Sequence, residues 1–220
     1  MAKSILDDIS LVVWDWNGTL LNDVELNIGI VNTLLDERGV PGIESADYYK
    51  REFTFPVIDF YRKVGFDLEN EDFSLIARSY ARLFNEGYPH ADIFSDAEET
   101  LRLIKHSGRQ QLIISATEQG YLLKQVDYFE LSHYFTDILG VSDVLGSSKI
   151  ERAKKWIKEN KIDPSQVLFI GDTVHDYDTS EAIGCDCVLV SRGHNNREKL
   201  EKTGCEVYDS LDFVKAVVAE

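Results

Sequence analysis

The sequence predicts an α/β fold in which a doubly wound, three-layer parallel sheet carries an inserted all-helical segment. Short apolar runs that each stop at a polar or glycine residue recur along the chain, as buried strands do. Segments with helical periodicity lie between these runs, whereas residues 22–88 show helical periodicity and no convincing strand. Because alternating strands and helices connect through right-handed crossovers, we expect parallel strands layered between helices.

The predicted strands end at residues that are typical of tight turns or binding sites. The first strand is Leu11–Trp14, which stops at Asp15 and is followed by Asn17 and Gly18. Three similar runs occupy residues 111–114 before Ser115, residues 167–170 before Gly171 and Asp172, and residues 187–190 before Ser191. Ligands of such sheets bind beyond the carboxyl ends of the strands, so this edge is where we expect the site.

Two segments of the predicted α/β part carry clear helix signals. Residues 95–106 begin at Ser95, match a capping box with Glu98 and stop before Gly108. Residues 148–160 place three apolar side chains on one face, namely Ile150, Ala153 and Ile157.

The all-helical segment contains three or four amphipathic helices, predicted at residues 22–38, 56–64 and 72–86 with room for another. It follows the first strand directly, so it would lie above the expected site, where a lid belongs. We therefore predict two domains, an α/β core of residues 1–21 and 89–220 and a helical cap of residues 22–88.

Charge and composition exclude several classes of partner. A formal net charge of −16 would repel a nucleic-acid backbone and an anionic membrane. The sequence has no apolar run long enough to span a bilayer and no recognisable leader, which predicts a cytoplasmic protein. The sequence has three cysteines, Cys185, Cys187 and Cys205. No second group of cysteines or histidines lies at the spacing that a zinc site requires, so we expect buried thiols.

Four sequence motifs map to the same edge of the predicted sheet: DWNGTL at residues 15–20, Ser115, Lys149 at a helix start, and GDTVHD at residues 171–176. In this order, and over nearly the whole chain, they resemble the haloacid dehalogenase-like superfamily. The resemblance is to the subgroup with a helical cap after the first motif, in which phosphoglycolate phosphatase-like and sugar-phosphatase-like members look nearest.

This resemblance implies a role for each motif residue. Asp15 would be the nucleophile that forms an aspartyl-phosphate, Ser115 would bind the phosphoryl group, and Lys149 would steady both. Mg²⁺ would be held by Asp172 and Asp176 together with Asp15 and the backbone carbonyl of Asn17. The expected substrate contacts are Ser115, Ala116, Lys149, Thr54 and His175.

Elementary electrostatics supports the same arrangement. Carboxylates at Asp15, Asp172 and Asp176 would repel one another and raise each other's pKa unless a cation lay among them. Mg²⁺ suits such a site because it prefers a few carboxylates together with water and phosphate oxygens. Lys149 and the metal would also reduce the repulsion between an incoming phosphate and a carboxylate nucleophile.

Each of these residues has a simpler structural alternative when it is considered alone. Asp15 could shape a turn, Ser115 could cap a helix, Lys149 could be a surface lysine, and Asp176 could be the N-cap of the helix that follows it. Their ordered combination favours the site. His175 stays open between a hydrogen bond at a helix start, a substrate contact and a proton donor.

Two other regions are candidates for contact with substrate. In the cap, Lys50, Arg51 and residues 54–56 are where capped relatives place such contacts, although surface charge explains Lys50 and Arg51 nearly as well. After the last apolar strand, Arg192 and His194 could reach the substrate or lie in an exposed loop.

The sequence departs from the superfamily pattern at Asn17. Phosphatases of the superfamily usually carry Asp there, which protonates the leaving alkoxide and later activates water. An amide can do neither, and general acid–base catalysis is typically worth about 10² to 10⁴ in rate. We therefore predict a slow phosphatase that works best on esters whose leaving group needs no proton.

Four alternatives remain open at this position. His175 or a group on the substrate could supply the proton, or Asn17 could deamidate to aspartate because Gly18 follows it. The protein could instead bind a phosphorylated ligand and scarcely turn it over, as a regulatory protein would. A phosphonate-cleaving enzyme would need a Schiff-base lysine in the cap, where the sequence offers Lys50 and Lys63.

Together these observations predict a Mg²⁺-dependent phosphomonoester hydrolase that acts on a small phosphorylated metabolite through an aspartyl-phosphate. We expect a monomer, because packing of the core and cap accounts for all the amphipathic helices.

Overall fold

The computed structural model describes residues 5–6, 8–142 and 149–218. The strands are β1 (Leu11–Trp14), β2 (Leu21–Asn22), β3 (Asp92–Ile93), β4 (Gln110–Glu118), β5 (Asp137–Val141), β6 (Val167–Gly171), β7 (Asp186–Val190) and β8 (Glu206–Tyr208). The α-helices are α1 (Val24–Asp36), α2 (Ala46–Glu52), α3 (Val57–Lys63), α4 (Phe73–Gly87), α5 (Ala97–His106), α6 (Gln119–Tyr128), α7 (Lys149–Glu159), α8 (Val174–Ile183), α9 (Arg197–Glu201) and α10 (Asp212–Val218).

Six strands form one parallel sheet in the order β5-β4-β1-β6-β7-β8. β1 lies near the centre, where Val13 pairs with Leu112 on one side and with Phe169 on the other. The chain crosses to β4 and β5 on one side of β1 and then to β6, β7 and β8 on the other. The predicted doubly wound sheet is confirmed, and Asp15 leaves β1 where the direction of winding reverses.

Alternation of side chains along the strands produces the three layers. Val12 and Trp14 of β1 join a hydrophobic cluster on one face of the sheet, whereas Leu11 and Val13 join a second cluster on the other face. The first face is covered by α5, α6 and α10, and the second by α7 and α8. Fully burying an apolar side chain of this size contributes roughly 1.5–3 kcal/mol, so this central strand strongly favours the layered arrangement.

The all-helical segment lies between β2 and β3, which pair with each other in antiparallel fashion. It contains α1 to α4, so the described part of this segment has the predicted helices, with α2 as the additional one. Apolar side chains from each helix, such as Ile28, Tyr49, Phe60 and Ile76, belong to the same cluster as one face of the sheet. The division into a core and a cap at residues 22–88 stays a prediction.

Several local predictions are corrected. The capping box at Ser95 is wrong, because α5 begins at Ala97 with Asp96 at its N-cap and no side-chain capping bond. Ser115 lies inside β4, which continues to Glu118, and does not follow the strand. The helix predicted at residues 148–160 is observed at Lys149–Glu159, and Ser148 lies outside the described residues.

The three cysteines are free and only half-buried. Among the helices that the structure describes, none combines the length and apolar character that crossing a membrane requires.

Candidate active site

Asp15 lies at the carboxyl end of β1, where the sheet holds its backbone. Its amide donates to the Ile170 carbonyl at 2.9 Å, which extends the pairing of β1 with β6 by one residue. The carboxylate is nearly buried, and the Lys149 ammonium donates to its Oδ1 at 2.7 Å. Lys149 also donates to Asp176, so one buried cation connects β1 with the starts of α7 and α8.

Asp15, Asp172 and Asp176 form a buried acidic cluster. Each offers an oxygen, and these oxygens all lie within 4.8 Å of one another. Asp172 follows β6 directly and accepts hydrogen bonds from the Thr19 hydroxyl at 2.8 Å and from the His194 amide at 2.6 Å. The structure thus brings together the three carboxylates that the sequence motifs single out.

Asp176 also organises the beginning of α8. The N-cap of this helix is Thr173 and not Asp176, and the two form a capping box. Asp176 Oδ2 accepts from the Thr173 amide at 2.9 Å and from its hydroxyl at 2.6 Å, which leaves Oδ1 to face Lys149. A single carboxylate therefore stabilises the helix start and fixes the lysine.

Burial and neighbouring charges shift the pKa values of the groups in this cluster in different directions. Burial raises the pKa of Asp15 well above its usual value, although Lys149 opposes this. Burial likewise raises the pKa of Asp172 to about 6. For Asp176, burial acts in the same direction, but Lys149 and Thr173 outweigh it and hold the pKa low. Attraction to Asp15 and Asp176 overcomes burial and raises the pKa of Lys149, which stays charged.

This donor set fits Mg²⁺. Three buried carboxylates meet one ammonium group, so the cluster retains negative charge that a divalent cation would offset. All the donors are hard oxygen atoms, the type that Mg²⁺ prefers.

Two glycines allow neighbouring loops to approach the cluster closely. Gly18 has a φ of +72°, and a Cβ added there would collide with the Asp172 carboxylate. A Cβ at Gly193 would meet the same carboxylate. Side chains at these positions would displace Asp172, so the close packing depends on glycine.

The end of β4 supplies the opposite side of the site. Ser115 is 2% exposed, and its hydroxyl oxygen accepts from the Thr117 amide at 3.1 Å. Ser115, Ala116 and Thr117 line the same cavity as Asp15 and Lys149.

That cavity has a volume of about 210 Å³. Its base consists of the polar groups at the strand ends, and its walls come largely from aromatic side chains of the helical segment, including Phe53, Phe60, Phe73, Tyr80 and Phe84. The sequence did not indicate this aromatic lining.

Asn17 lies beside Asp15 with its side-chain amide fixed at both ends. Its Nδ2 donates to Asp23 Oδ2 at 2.7 Å, and its Oδ1 accepts from the Thr117 hydroxyl at 2.8 Å. The Gly18 amide donates to the other Asp23 oxygen at 2.8 Å. An amide held in this way can offer a hydrogen bond from its second N–H, but it has no proton to give up.

Sequence reasoning missed the buried ion pair beneath Asn17. His194 Nε2 lies 3.3 Å from Asp23 Oδ1, and the two residues are far apart in the chain. Burial lowers the pKa of His194, but Asp23 overcomes it and raises the pKa to about 9, whereas His194 holds the pKa of Asp23 below its usual value. His194 is therefore charged at neutral pH. Its Nδ1 contacts the Tyr49 hydroxyl at 2.9 Å, which connects the pair to α2.

Two of the expected substrate contacts lie elsewhere. Thr54 and His175 line a neighbouring groove and not the cavity of Asp15, whereas Phe53 and Phe55 line both. The Phe55 and His175 rings stack with centroids 4.5 Å apart. Burial, assisted by Lys149, lowers the pKa of His175 to about 4, so its ring is neutral at pH 7.

The other candidate cations have structural partners. Lys50 donates to the Arg192 carbonyl at 3.0 Å, and Arg192 forms an ion pair with Asp96 at 2.6 Å. Arg51 and Lys63 lie near Glu52 at the surface, 3.2 and 3.9 Å away. None of the four lines the cavity of Asp15, so neither Lys50 nor Lys63 is placed to act as a Schiff-base lysine there.

A buried aspartate paired with a lysine, beside an acidic cluster at the edge of a doubly wound sheet, is the arrangement expected of a hydrolase that handles phosphate. A model of the haloacid dehalogenase-like hydrolase family matches residues 12–190, and the chain belongs to that family. Several relatives within this family that resemble the chain are named phosphoglycolate phosphatase.

A phosphoglycolate phosphatase of Pseudomonas fluorescens is 28% identical over 91% of this chain and 76% of its own length. The phosphoglycolate phosphatase of Aliivibrio fischeri is 20% identical over 98% of this chain and 99% of its own. Among solved structures, a haloacid dehalogenase-like hydrolase from Streptococcus pneumoniae superposes with a TM-score of 0.80 at 18% identity, covering 97% of this chain and 99% of its own. This structural likeness supports the fold.

Proposed function

We propose that this protein is a Mg²⁺-dependent phosphomonoester hydrolase that works through a covalent phosphate on Asp15. The observation that carries the proposal is the position of the Asp15 carboxylate. It lies at the base of a cavity, 2.7 Å from a buried ammonium group and within an acidic cluster suited to a divalent cation.

The chemistry divides between two displacements at phosphorus. An Asp15 oxygen attacks the phosphorus, the ester P–O bond breaks, and its electron pair leaves with the oxygen of the alcohol. Water then attacks the phosphorus of the aspartyl-phosphate, the bond to Asp15 breaks, and inorganic phosphate is released. Lys149 and Ser115 lie where they would hold phosphoryl oxygens during both steps.

Mg²⁺ would be held by the carboxylates of Asp15, Asp172 and Asp176 and by the backbone carbonyl of Asn17. When bound, it supplies positive charge that offsets the charge of the phosphate. The protein orients two of these carboxylates through hydrogen bonds from Thr19, Thr173 and the His194 amide.

Asn17 limits the rate of the first displacement. Its second N–H can stabilise developing charge on the leaving oxygen but cannot protonate it. We therefore expect turnover of poor leaving groups to be lower by about 10² to 10⁴ than with a carboxylic acid at this position. His175 is a poor replacement, because it is neutral and lines the neighbouring groove instead of this cavity.

A second candidate function is that of a protein that binds a phosphorylated ligand and turns it over very slowly. The fixed amide of Asn17 favours it, because both of its polar atoms are already bonded to Asp23 and Thr117. In either case we propose that the protein is a cytoplasmic monomer whose ligand is a small phosphorylated metabolite.

The Asp15→Asn variant tests the main proposal. With 4-nitrophenyl phosphate and Mg²⁺, we expect it to lose turnover by a factor on the order of 10³ or more, because an amide cannot attack phosphorus. The exposed Asp36→Asn variant is a matched control that should keep wild-type turnover. Retained turnover in Asp15→Asn would contradict the mechanism. Phosphate binding by the wild type without release of nitrophenolate would favour the second function.

A further inference from the structure

We infer that this site selects monophosphate esters of an uncharged, aromatic (phenol-type) hydroxyl and disfavours esters of small hydroxy acids. The inference rests on the proposed function and specifies its substrate class. Two independent features of the site lead to it, namely the lining of the cavity and the amide at Asn17.

One helix supplies a continuous apolar wall. The α4 residues that line the cavity include Phe73, Ala77, Tyr80, Ala81 and Phe84, whose spacing places them on one face of the helix. Aromatic rings of this kind favour a flat apolar group, which they contact by offset or edge-to-face packing.

The cavity has no cation available for an acidic leaving group. Among the lining residues that the structure describes, the positively charged ones are Lys149 and His194. Lys149 is bonded to Asp15 and Asp176, and His194 pairs with Asp23. A carboxylate on the leaving group would therefore be buried without a counter-ion, which is strongly unfavourable.

Gln125 offers the cavity a neutral donor in addition to the second N–H of Asn17. Gln125 is fully buried, its Oε1 accepts from the Trp16 indole at 2.9 Å, and its Nε2 has no hydrogen-bond partner. Because the indole can only donate, this bond fixes which end of the amide is free. The two N–H groups of this nitrogen suit neutral acceptors, such as an ether or carbonyl on a ring, and do not offset a full negative charge.

The size of the cavity also fits a single ring. An apolar cavity of about 150 Å³ is large enough to bind benzene. The cavity above Asp15 has about 210 Å³, which leaves room for one ring together with part of the phosphate.

The chemistry at Asn17 points to the same class. When Asp15 attacks, the P–O bond breaks and its electron pair goes to the leaving oxygen. A phenol ionises near a pKa of about 10, whereas water, which resembles an alcohol in this respect, ionises near about 15.7. A phenolate can therefore leave with only the hydrogen bond that the Asn17 amide offers.

Binding of non-hydrolysable phosphonates tests the inference without requiring turnover. Benzylphosphonate mimics phenyl phosphate, and 3-phosphonopropionate mimics phosphoglycolate. By calorimetry on the wild-type protein with Mg²⁺, we expect benzylphosphonate to bind at least about tenfold more tightly. Equal affinity, the opposite preference or no binding of benzylphosphonate would overturn the inference.

A charge placed in the wall tests the cause of the preference. Ala81 is half-exposed and lines the cavity, so Ala81→Lys should reduce the preference for benzylphosphonate by about tenfold or more. Leu75→Lys adds the same charge to α4 at a side chain that is 61% exposed and outside the cavity, and it should leave the preference unchanged. A similar change in both variants would contradict the assignment to this wall.

Turnover separates this inference from the proposed function. We expect kcat/KM for phenyl phosphate to exceed that for phosphoglycolate by about tenfold or more, with both activities lost in Asp15→Asn. Hydrolysis that depends on Asp15 but prefers phosphoglycolate would overturn the inference alone. Hydrolysis that persists in Asp15→Asn would overturn the proposed function, while the phosphonate affinities would still decide the inference.

Discussion

Asn17 is held between a donor and an acceptor that determine which way its amide points. Thr117 donates to its oxygen and Asp23 accepts from its nitrogen, so the nitrogen lies 2.7 Å from a buried carboxylate. An oxygen introduced in place of this nitrogen would face another oxygen at that distance. Two carboxyl groups so close cannot both ionise, and one of them would keep its proton.

The Asn17→Asp variant should therefore carry a carboxylic acid beside the leaving oxygen. We expect kcat for a simple alkyl phosphate to rise by about 10² to 10⁴, with much less gain for 4-nitrophenyl phosphate, whose leaving group needs no proton. Steady-state kinetics on both substrates measures the difference. The double variant Asn17→Asp with Asp23→Asn lacks the repulsion and should gain less. An equal gain on both substrates would show that proton donation is not the cause.

The backbone around Gly18 should protect Asn17 from deamidation. That reaction requires the Gly18 amide nitrogen to attack the Asn17 side chain, but this N–H donates to the Leu21 carbonyl at 2.9 Å and to Asp23 at 2.8 Å. We expect peptide mapping by mass spectrometry to find Asn17 intact after prolonged incubation of the folded protein. The same protein in denaturant, where these bonds are absent, should deamidate. Comparable rates in the two samples would contradict the protection.

At the residue scale, the sequence predicted the groups that follow strands and missed those that act through tertiary contacts. Asp15 and Asp172 could be identified from the sequence because each follows an apolar run. Asp23 lay within the predicted helix of residues 22–38, and nothing local connected it with His194. Their pairing requires the loop after β7 to fold back onto the start of α1, which a linear pattern does not reveal.

At the scale of elements, Arg192 connects the loop after β7 with two other parts of the chain, the turn after β1 and the segment between β3 and α5. Its guanidinium forms two hydrogen bonds of 2.6 Å with Asp96, donates to the Thr19 carbonyl at 2.8 Å, and lies 3.9 Å from the centre of the Phe94 ring. From the sequence, Arg192 could be either a substrate contact or part of an exposed loop. The structure shows a mostly buried connection between elements.

The Arg192→Lys variant should destabilise the fold, because an ammonium group lacks the planar guanidinium that binds Asp96 through Nη1 and Thr19 through Nη2 and stacks on Phe94. We expect the free energy of unfolding to fall by roughly 1–3 kcal/mol, measured by urea denaturation. Arg197→Lys is a control on α9, where the arginine side chain is 41% exposed and little change is expected. A loss of the same size in both variants would contradict a special role for Arg192.

The elements that sequence reasoning overlooked are short or irregular. β8 has three residues at the edge of the sheet, too few for a period-2 pattern to emerge. β5 contains Gly140, where a Cβ would collide with the Thr117 carbonyl, so packing against β4 determines this strand more than its own propensity does. The capping box at Ser95 failed because the N-cap, Asp96, turns its carboxylate to Arg192.

At the scale of the whole molecule, ionised Asp172 makes an unfavourable contribution to folding. The pKa of Asp172 is raised to about 6 from an ordinary 3.8, so the unfolded chain releases this proton first. Its contribution to stability therefore becomes less favourable as the pH rises from about 4 through about 6, and it stays unfavourable above that range. A bound cation would offset this cost where the carboxylate is ionised.

Added Mg²⁺ should raise the melting temperature, and more at about pH 8 than at about pH 5. A concentration near 100 times Kd stabilises by about 2.7 kcal/mol, which is several degrees for a chain of this size. Differential scanning fluorimetry measures the shift, and Asp172→Asn should remove most of it. A shift that is independent of both pH and Asp172 would place the metal elsewhere.

The overall architecture was predictable because its signals are periodic. Apolar runs near β1, β4, β6 and β7 identified the parallel sheet, and their absence over residues 22–88 identified the helical segment. What the helices enclose was not predictable, because the aromatic lining combines residues from separate helices that only the folded chain brings together.

The pairing of β2 with β3 has a consequence for how this protein could change over evolution. Leu21 pairs with Ile93 and Asn22 with Asp92, so the chain enters the helical segment and leaves it at adjacent points. A helical segment of another length or composition could be exchanged between these points without moving the strand that ends at Asp15. Replacement of the helical segment could thus change which esters the protein selects, while the residues around Asp15 stay the same.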